Sequence, residues 1–191
     1  CLSTLTVTDF YRSLTGALGG QPSFRKPDNF RSIQEEIKRL SLEKKKTPVI
    51  IIDEANYVSN GILNDLKLLF NFEMDSKDRA VILLCGLGQL NNTLRLSVHE
   101  PLRQRLVMNF HMEGMTKEEG REYIRTKLHG AGCSHTVFED AAVEAILNAS
   151  DGTPRMVNRL CSQSLLCAEA KRRDLVDADA AMQAINDCEL G

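Results

Sequence analysis

The stretch Val49-Ile50-Ile51-Ile52-Asp53-Glu54-Ala55-Asn56 closes an unbroken run of β-branched residues with two adjacent carboxylates. Such a short continuous run, without polar alternation, predicts a central strand of a parallel sheet, buried on both faces. Ligands of open α/β sheets bind outside the carboxyl ends of the strands, and Asp53 and Glu54 stand at that end. Neighbouring acids there repel each other and lose hydration, a cost that a cation or a substrate offsets. The alternative is a strand that leaves the sheet into water through two surface acids.

Outward from this point the pattern is that of alternating strands and helices. Residues 1–5 read as a strand remnant and Asp9 to Leu18 as a helix stopped by Gly19 and Gly20, with a loop holding Pro22 and Pro27 beyond it. Between Asn29 and Lys45, Phe30, Ile33, Ile37 and Leu40 recur at helical spacing, and Lys44, Lys45 and Lys46 end that helix where cations favour its dipole. Ser59 is placed to cap a helix with Ile62, Leu63, Leu66, Leu69 and Phe70 on one face. Ala80 to Cys85 predicts a second buried strand, Leu90 to Leu96 a short helix, and the alternation of Leu106, Met108, Phe110 and Met112 a third strand nearer an edge.

Past Gly114 only helices are predicted. Thr116 and Glu119 form a capping box, Asp140 to Asn148 a second helix, Thr153 with Pro154 a third start, and Asp177 a fourth cap. An α/β unit therefore gives way to a four-helix unit at about residue 114.

The 191 residues suffice for one good core or for a core with a small satellite. Twenty-four Lys and Arg against 26 Asp and Glu exclude bulk electrostatic attraction to nucleic acid, though not a local basic surface. No apolar run reaches the roughly 18 residues of a membrane span and no signal segment opens the chain, so the expected location is cytoplasmic. The six cysteines, at 1, 85, 133, 161, 167 and 188, show neither C-x-x-C nor zinc spacing and read as reduced, with Cys85, Cys161 and Cys167 as small buried hydrophobes.

Three separated segments carry a resemblance. VIIIDEANYVSNGILNDLKLLFNFEMDSKDRAVILLCGLGQL from Val49, LRQRLVMNFHMEGMTKEEGREYIRTKL from Leu102 and GTPRMVNRLC from Gly152 resemble, in unbroken order, the AAA+ P-loop ATPases of the ExeA and TniB/TnsC group, which serve secretion and DNA transposition. The resemblance implies a partial P-loop NTPase sheet with helices on both faces over residues 1–114 and a small all-α lid over 115–191. It implies Asp53 as the magnesium ligand and Glu54 as the group that polarises the attacking water on ATP, the Walker B pair. Arg105 matches an arginine finger reaching a neighbouring subunit, with Arg103 as second choice, and Arg155 matches the lid arginine that touches the γ-phosphate. Surface ion pairing for the first two, and plain exposure for Arg155, are the alternatives.

Two departures accompany it. A phosphate cradle requires G-x-x-x-x-G-K-[ST], yet no glycine here is followed by lysine. The expectation is an N-terminal truncation ahead of Cys1, with the chain by itself inactive as an ATPase. Where the family places a polar sensor after the second strand, this chain reads Gly86-Leu87-Gly88-Gln89, so Gln89 or Asn91 would have to substitute. The function implied first is an ATP-dependent regulator of DNA transposition that forms a homo-oligomeric ring or filament with DNA and a transposase as partners. The alternatives are a secretion or pilus-assembly ATPase of the ExeA type and a degenerate, non-hydrolysing interaction module.

Overall fold

The computed structural model describes residues 6–72 and 77–189, so the strand expected at 1–5 lies outside the described residues. The chain divides into two compact units between Asn109 and Phe110, where sequence pattern alone marks Gly114.

In the first unit, α1 (Val7–Ala17) is capped by Thr6, whose hydroxyl accepts from the Asp9 N–H. Helix α2 (Lys26–Leu42) starts earlier than its apolar spacing implies, and Pro27 sits in its first turn rather than in a loop, where its missing N–H costs nothing. Buried Asn29 holds the preceding loop: its Oδ1 accepts from the Ser23 N–H at 2.9 Å and its Nδ2 donates to the Ser23 carbonyl at 2.8 Å. Strands β1 (Val49–Ile52) and β2 (Val81–Leu84) are parallel, with Val49 beside Val81 and Ile52 beside Leu84. Helix α3 (Asn60–Leu69), capped by Ser59, connects them. Helices α4 (Gln89–Arg95) and α5 (Glu100–Arg103) follow β2, separated by a 3-10 turn at Ser97–His99.

Ile50 packs with Tyr11, Ile33, Ile37, Leu69 and Phe72, while Ile52 and Leu84 join a second cluster of Ala55, Leu63, Leu66 and Leu102. The expectation of strands buried on both faces is corrected here. Val49 and Ile51 are 60% and 63% exposed, and Val81 and Leu83 share their side, because among the described residues helices cover one face alone. The third strand expected from Leu106 to Met112 is corrected too. These residues form no ladder, and Val107, Met108, Phe110 and Met112 are exposed. Alternation makes a strand only where an adjacent edge supplies hydrogen-bond partners, and the described sheet consists of β1 and β2.

The second unit contains α6 (Lys117–Gly130), α7 (Asp140–Ser150), α8 (Pro154–Ala170) and α9 (Ala178–Glu189). Thr116 and Glu119 make the reciprocal capping box, and Asp177 Oδ1 accepts from the Ala180 N–H at 2.9 Å. The hydroxyl of Thr153 makes no cap bond. Its carbonyl receives the first helical N–H, from Val157 at 3.0 Å, so the start of α8 rests on backbone and Pro154. Ile146, Val157, Leu160, Ala180 and Ala184 form this unit's core, and Gly120 lets α6 lie against Leu147. No helix among the described residues is long and apolar enough to cross a membrane.

Candidate functional site

Asp53 and Glu54 follow β1 at its carboxyl end, both exposed. Asp53 Oδ1 accepts from the Glu54 N–H at 2.9 Å, which turns the chain sharply out of the strand. Glu54 takes left-handed backbone angles, φ 54° and ψ 37°, uncommon for a residue with a Cβ. A 3-10 turn over Ala55–Tyr57 follows, closed by the Tyr57 N–H on the Glu54 carbonyl at 2.9 Å. The Glu54 carboxylate makes no hydrogen bond or ion pair among the described residues, and the residue is exposed. Beside the pair opens a cavity of about 480 Å³, lined by Asp53 and Glu54 and by apolar Phe10, Leu14 and Ile62.

Two adjacent exposed carboxylates are hard oxygen donors of the kind Mg2+ takes through one or two protein ligands, so the turn fits that ion. Among the described residues, neither lysine nor arginine lines this cavity.

The other residues singled out by the sequence lie apart from this turn in the chain. Arg103 Nη1 donates to the carbonyls of Leu94 and Arg95 at 3.3 and 3.0 Å, closing the end of α4. Arg105 is exposed on the turn after α5, where its N–H bonds the Leu102 carbonyl. Arg155 is exposed in the first turn of α8, in the second unit, and makes no hydrogen bond or ion pair among the described residues. Leu87 is 57% exposed, Gln89 opens α4, and Asn91 Oδ1 accepts from Asn109 Nδ2 at 3.5 Å.

Sequence reasoning missed three structural supports of these positions. Asn56 reaches the loop after β2, where its Oδ1 accepts from the Leu87 N–H at 3.0 Å. His99 is fully buried and spans Asn60 Oδ1 at 2.9 Å and Asn64 Oδ1 at 3.2 Å, tying the start of α3 to the arginine-bearing turn. Gly152, with φ 67°, accepts the Met115 N–H at 2.9 Å just ahead of Arg155. The glycines on either side of Leu87 and in Gly152-Thr153-Pro154-Arg155 were the available signals. The asparagine and histidine contacts span 31 residues or more and leave no local trace.

Comparison with known proteins bears on the fold. Residues 1–94 match the protein family described as an AAA domain. General secretion pathway protein A of Aeromonas hydrophila is 31% identical over 140 residues, 73% of this chain and 26% of that protein. An uncharacterized HTH-type transcriptional regulator of Methanocaldococcus jannaschii is 24% identical over 188 residues, 94% of this chain and 44% of the relative. Among solved structures, a RuvB mutant of Thermotoga maritima superposes with a TM-score of 0.52 at 21% identity, covering 80% of this chain and 49% of the other, a likeness of fold. The chain thus spans less than half the length of each of these proteins. Together they support a P-loop NTPase-like fold.

Proposed function

We propose that this protein binds and hydrolyses ATP with Mg2+ and that the hydrolysis serves a secretion apparatus. The observation that carries the chemistry is the turn after β1, where Asp53 and Glu54 present exposed carboxylates at the ligand end of a parallel strand. ATP would supply the phosphoryl group, and a magnesium ion would neutralise part of its charge. Asp53 holds the ion, and Glu54 orients and polarises the attacking water. Arg105 acts in trans in a homo-oligomer, stabilising the transferring charge of a neighbour's nucleotide. Arg155, at the positive end of α8, adds an anion-binding side chain to exposed helix N–H groups.

The secretion reading is favoured by the 31% identity to General secretion pathway protein A. The reading as a DNA-transposition regulator rests on sequence resemblance alone. A strain lacking the gene, complemented with wild type or Glu54→Gln, separates them. Wild type should restore export of a secreted enzyme and Glu54→Gln should not, at equal protein level. Restored transposition with unchanged export would replace this reading by the other, and full rescue by Glu54→Gln would favour a non-hydrolysing module.

A further inference from the structure

The acidic turn and the loop after β2 are joined by two hydrogen bonds. The Ala55 N–H donates to the Cys85 carbonyl at 2.7 Å, and the Leu87 N–H donates to Asn56 Oδ1 at 3.0 Å. That second bond fixes the amide's orientation, since the flipped amide would set its own donors against an N–H. Gly86 lies between them. A Cβ there would come within 2.7 Å of Asn56 Oδ1, 3.1 Å of the Asn56 N and 3.3 Å of the Ala55 N, so a larger residue at 86 would have to push the Asn56 amide aside. Asn56 Nδ2 is buried without a partner, which shows that the side chain is held by its oxygen rather than satisfied all round. Immediately upstream stands Glu54 in the left-handed region. Such strain persists only where the surroundings over-determine it, and the bonds of Ala55 and Asn56 are the constraints that follow it directly.

We propose that Asn56 is a positioning residue for Glu54: its amide oxygen, seated against Gly86 and bonded to the Leu87 N–H, holds the acidic turn in its left-handed conformation and so fixes where the Glu54 side chain leaves the backbone. The assignment rests on the ATPase reading for its catalytic consequence, but the latch itself is testable without activity. It also gives the loop after β2 a part in catalysis through its backbone, despite the apolar side chain of Leu87.

The first test is a double-mutant cycle on thermal unfolding of the 191-residue chain. Glu54→Gly relieves the left-handed strain and should raise the unfolding temperature by about 2–4 °C in the Asn56 parent. The gain should vanish in an Asn56→Leu background, where the turn is released. Equal gains in both backgrounds would overturn the latch. The second test uses the product of the complete reading frame. Asn56→Leu should lower kcat for ATP at least about tenfold with KM changed less than about threefold, whereas Asn56→Asp, which keeps the acceptor, should restore most of kcat. A parallel fall in Asn56→Asp, or an unchanged kcat in Asn56→Leu, would refute the positioning role. If wild type shows no Glu54-dependent hydrolysis while the cycle remains coupled, the ATPase reading fails and the catalytic assignment of Asn56 falls with it, leaving a structural latch.

Discussion

Replacing Gly152 by alanine should destabilise the helical unit severely, and the size of the effect follows from its surroundings. Its φ of 67° puts an added Cβ in the left-handed region, at a cost of about 1–2 kcal/mol. That Cβ would also stand 2.3 Å from the Met115 carbonyl oxygen and 2.6 Å from the Met115 N, both backbone atoms that no rotamer change can move aside. The segments must separate, which breaks the 2.9 Å bond from the Met115 N–H to the Gly152 carbonyl and costs about 1 kcal/mol more. The sum is about 2–3 kcal/mol, or a fall of about 4–12 °C in unfolding temperature for a chain of this length. Gly130→Ala is the matched control, since it ends α6 with nothing within 4 Å and without a positive φ, and should gain about 0.5–1 kcal/mol. Circular dichroism melts of the two variants read opposite signs. Gly152→Ala melting with or above Gly130→Ala would refute the close crossing ahead of Arg155.

Three further outcomes are expected. His99→Leu removes both ring bonds to Asn60 and Asn64 and should lower stability by about 2 kcal/mol or more, read from the urea midpoint; a neutral effect would mean that the buried imidazole does not clasp α3. Burial pushes the Cys161 thiol up from 9.0 to about 11, so the fold favours the neutral form, and this contribution to stability is whole below about pH 9 and lost as pH rises towards 11. At pH 8, iodoacetamide should accordingly label Cys161 about 100-fold more slowly in the folded chain than in urea, and equal rates would contradict that burial. Mixing Arg105→Ala with Glu54→Gln subunits of the product of the complete reading frame should regain hydrolysis that neither has alone, because intact acids from the first then meet intact arginines from the second. Co-assembly with ATP but without activity would remove Arg105 from the trans role and make Arg103 the candidate.

The parts of the fold that were legible in the sequence are those set by neighbours in the chain. Val49 to Ile52 and Val81 to Leu84 carry their strand preference locally, and they pair in parallel as a helical crossover between them demands. The capping box at Thr116 and the Asp177 cap are likewise local, each closing over three residues. Coverage is not local: the same β-branched run that reads as buried on both faces leaves Val49 and Ile51 exposed, because burial depends on what packs there. For the same reason Leu106 to Met112 has strand alternation without a ladder. The acidic pair stood out as a chemical anomaly at a strand end. The left-handed Glu54, the Asn56 latch and the His99 clasp did not, since each depends on a contact or backbone angle that composition and period leave undetermined.

The central claim is that Glu54 activates water while Asp53 holds magnesium. It is tested most directly by measuring nucleotide binding and phosphate release in parallel for the product of the complete reading frame. Wild type should release phosphate only with Mg2+. Glu54→Gln should bind Mg-ATP about as tightly as wild type while its kcat falls at least about 100-fold, the signature of an interaction made in the transition state. Asp53→Asn should weaken Mg-dependent binding itself. Undiminished hydrolysis by Glu54→Gln would contradict the account.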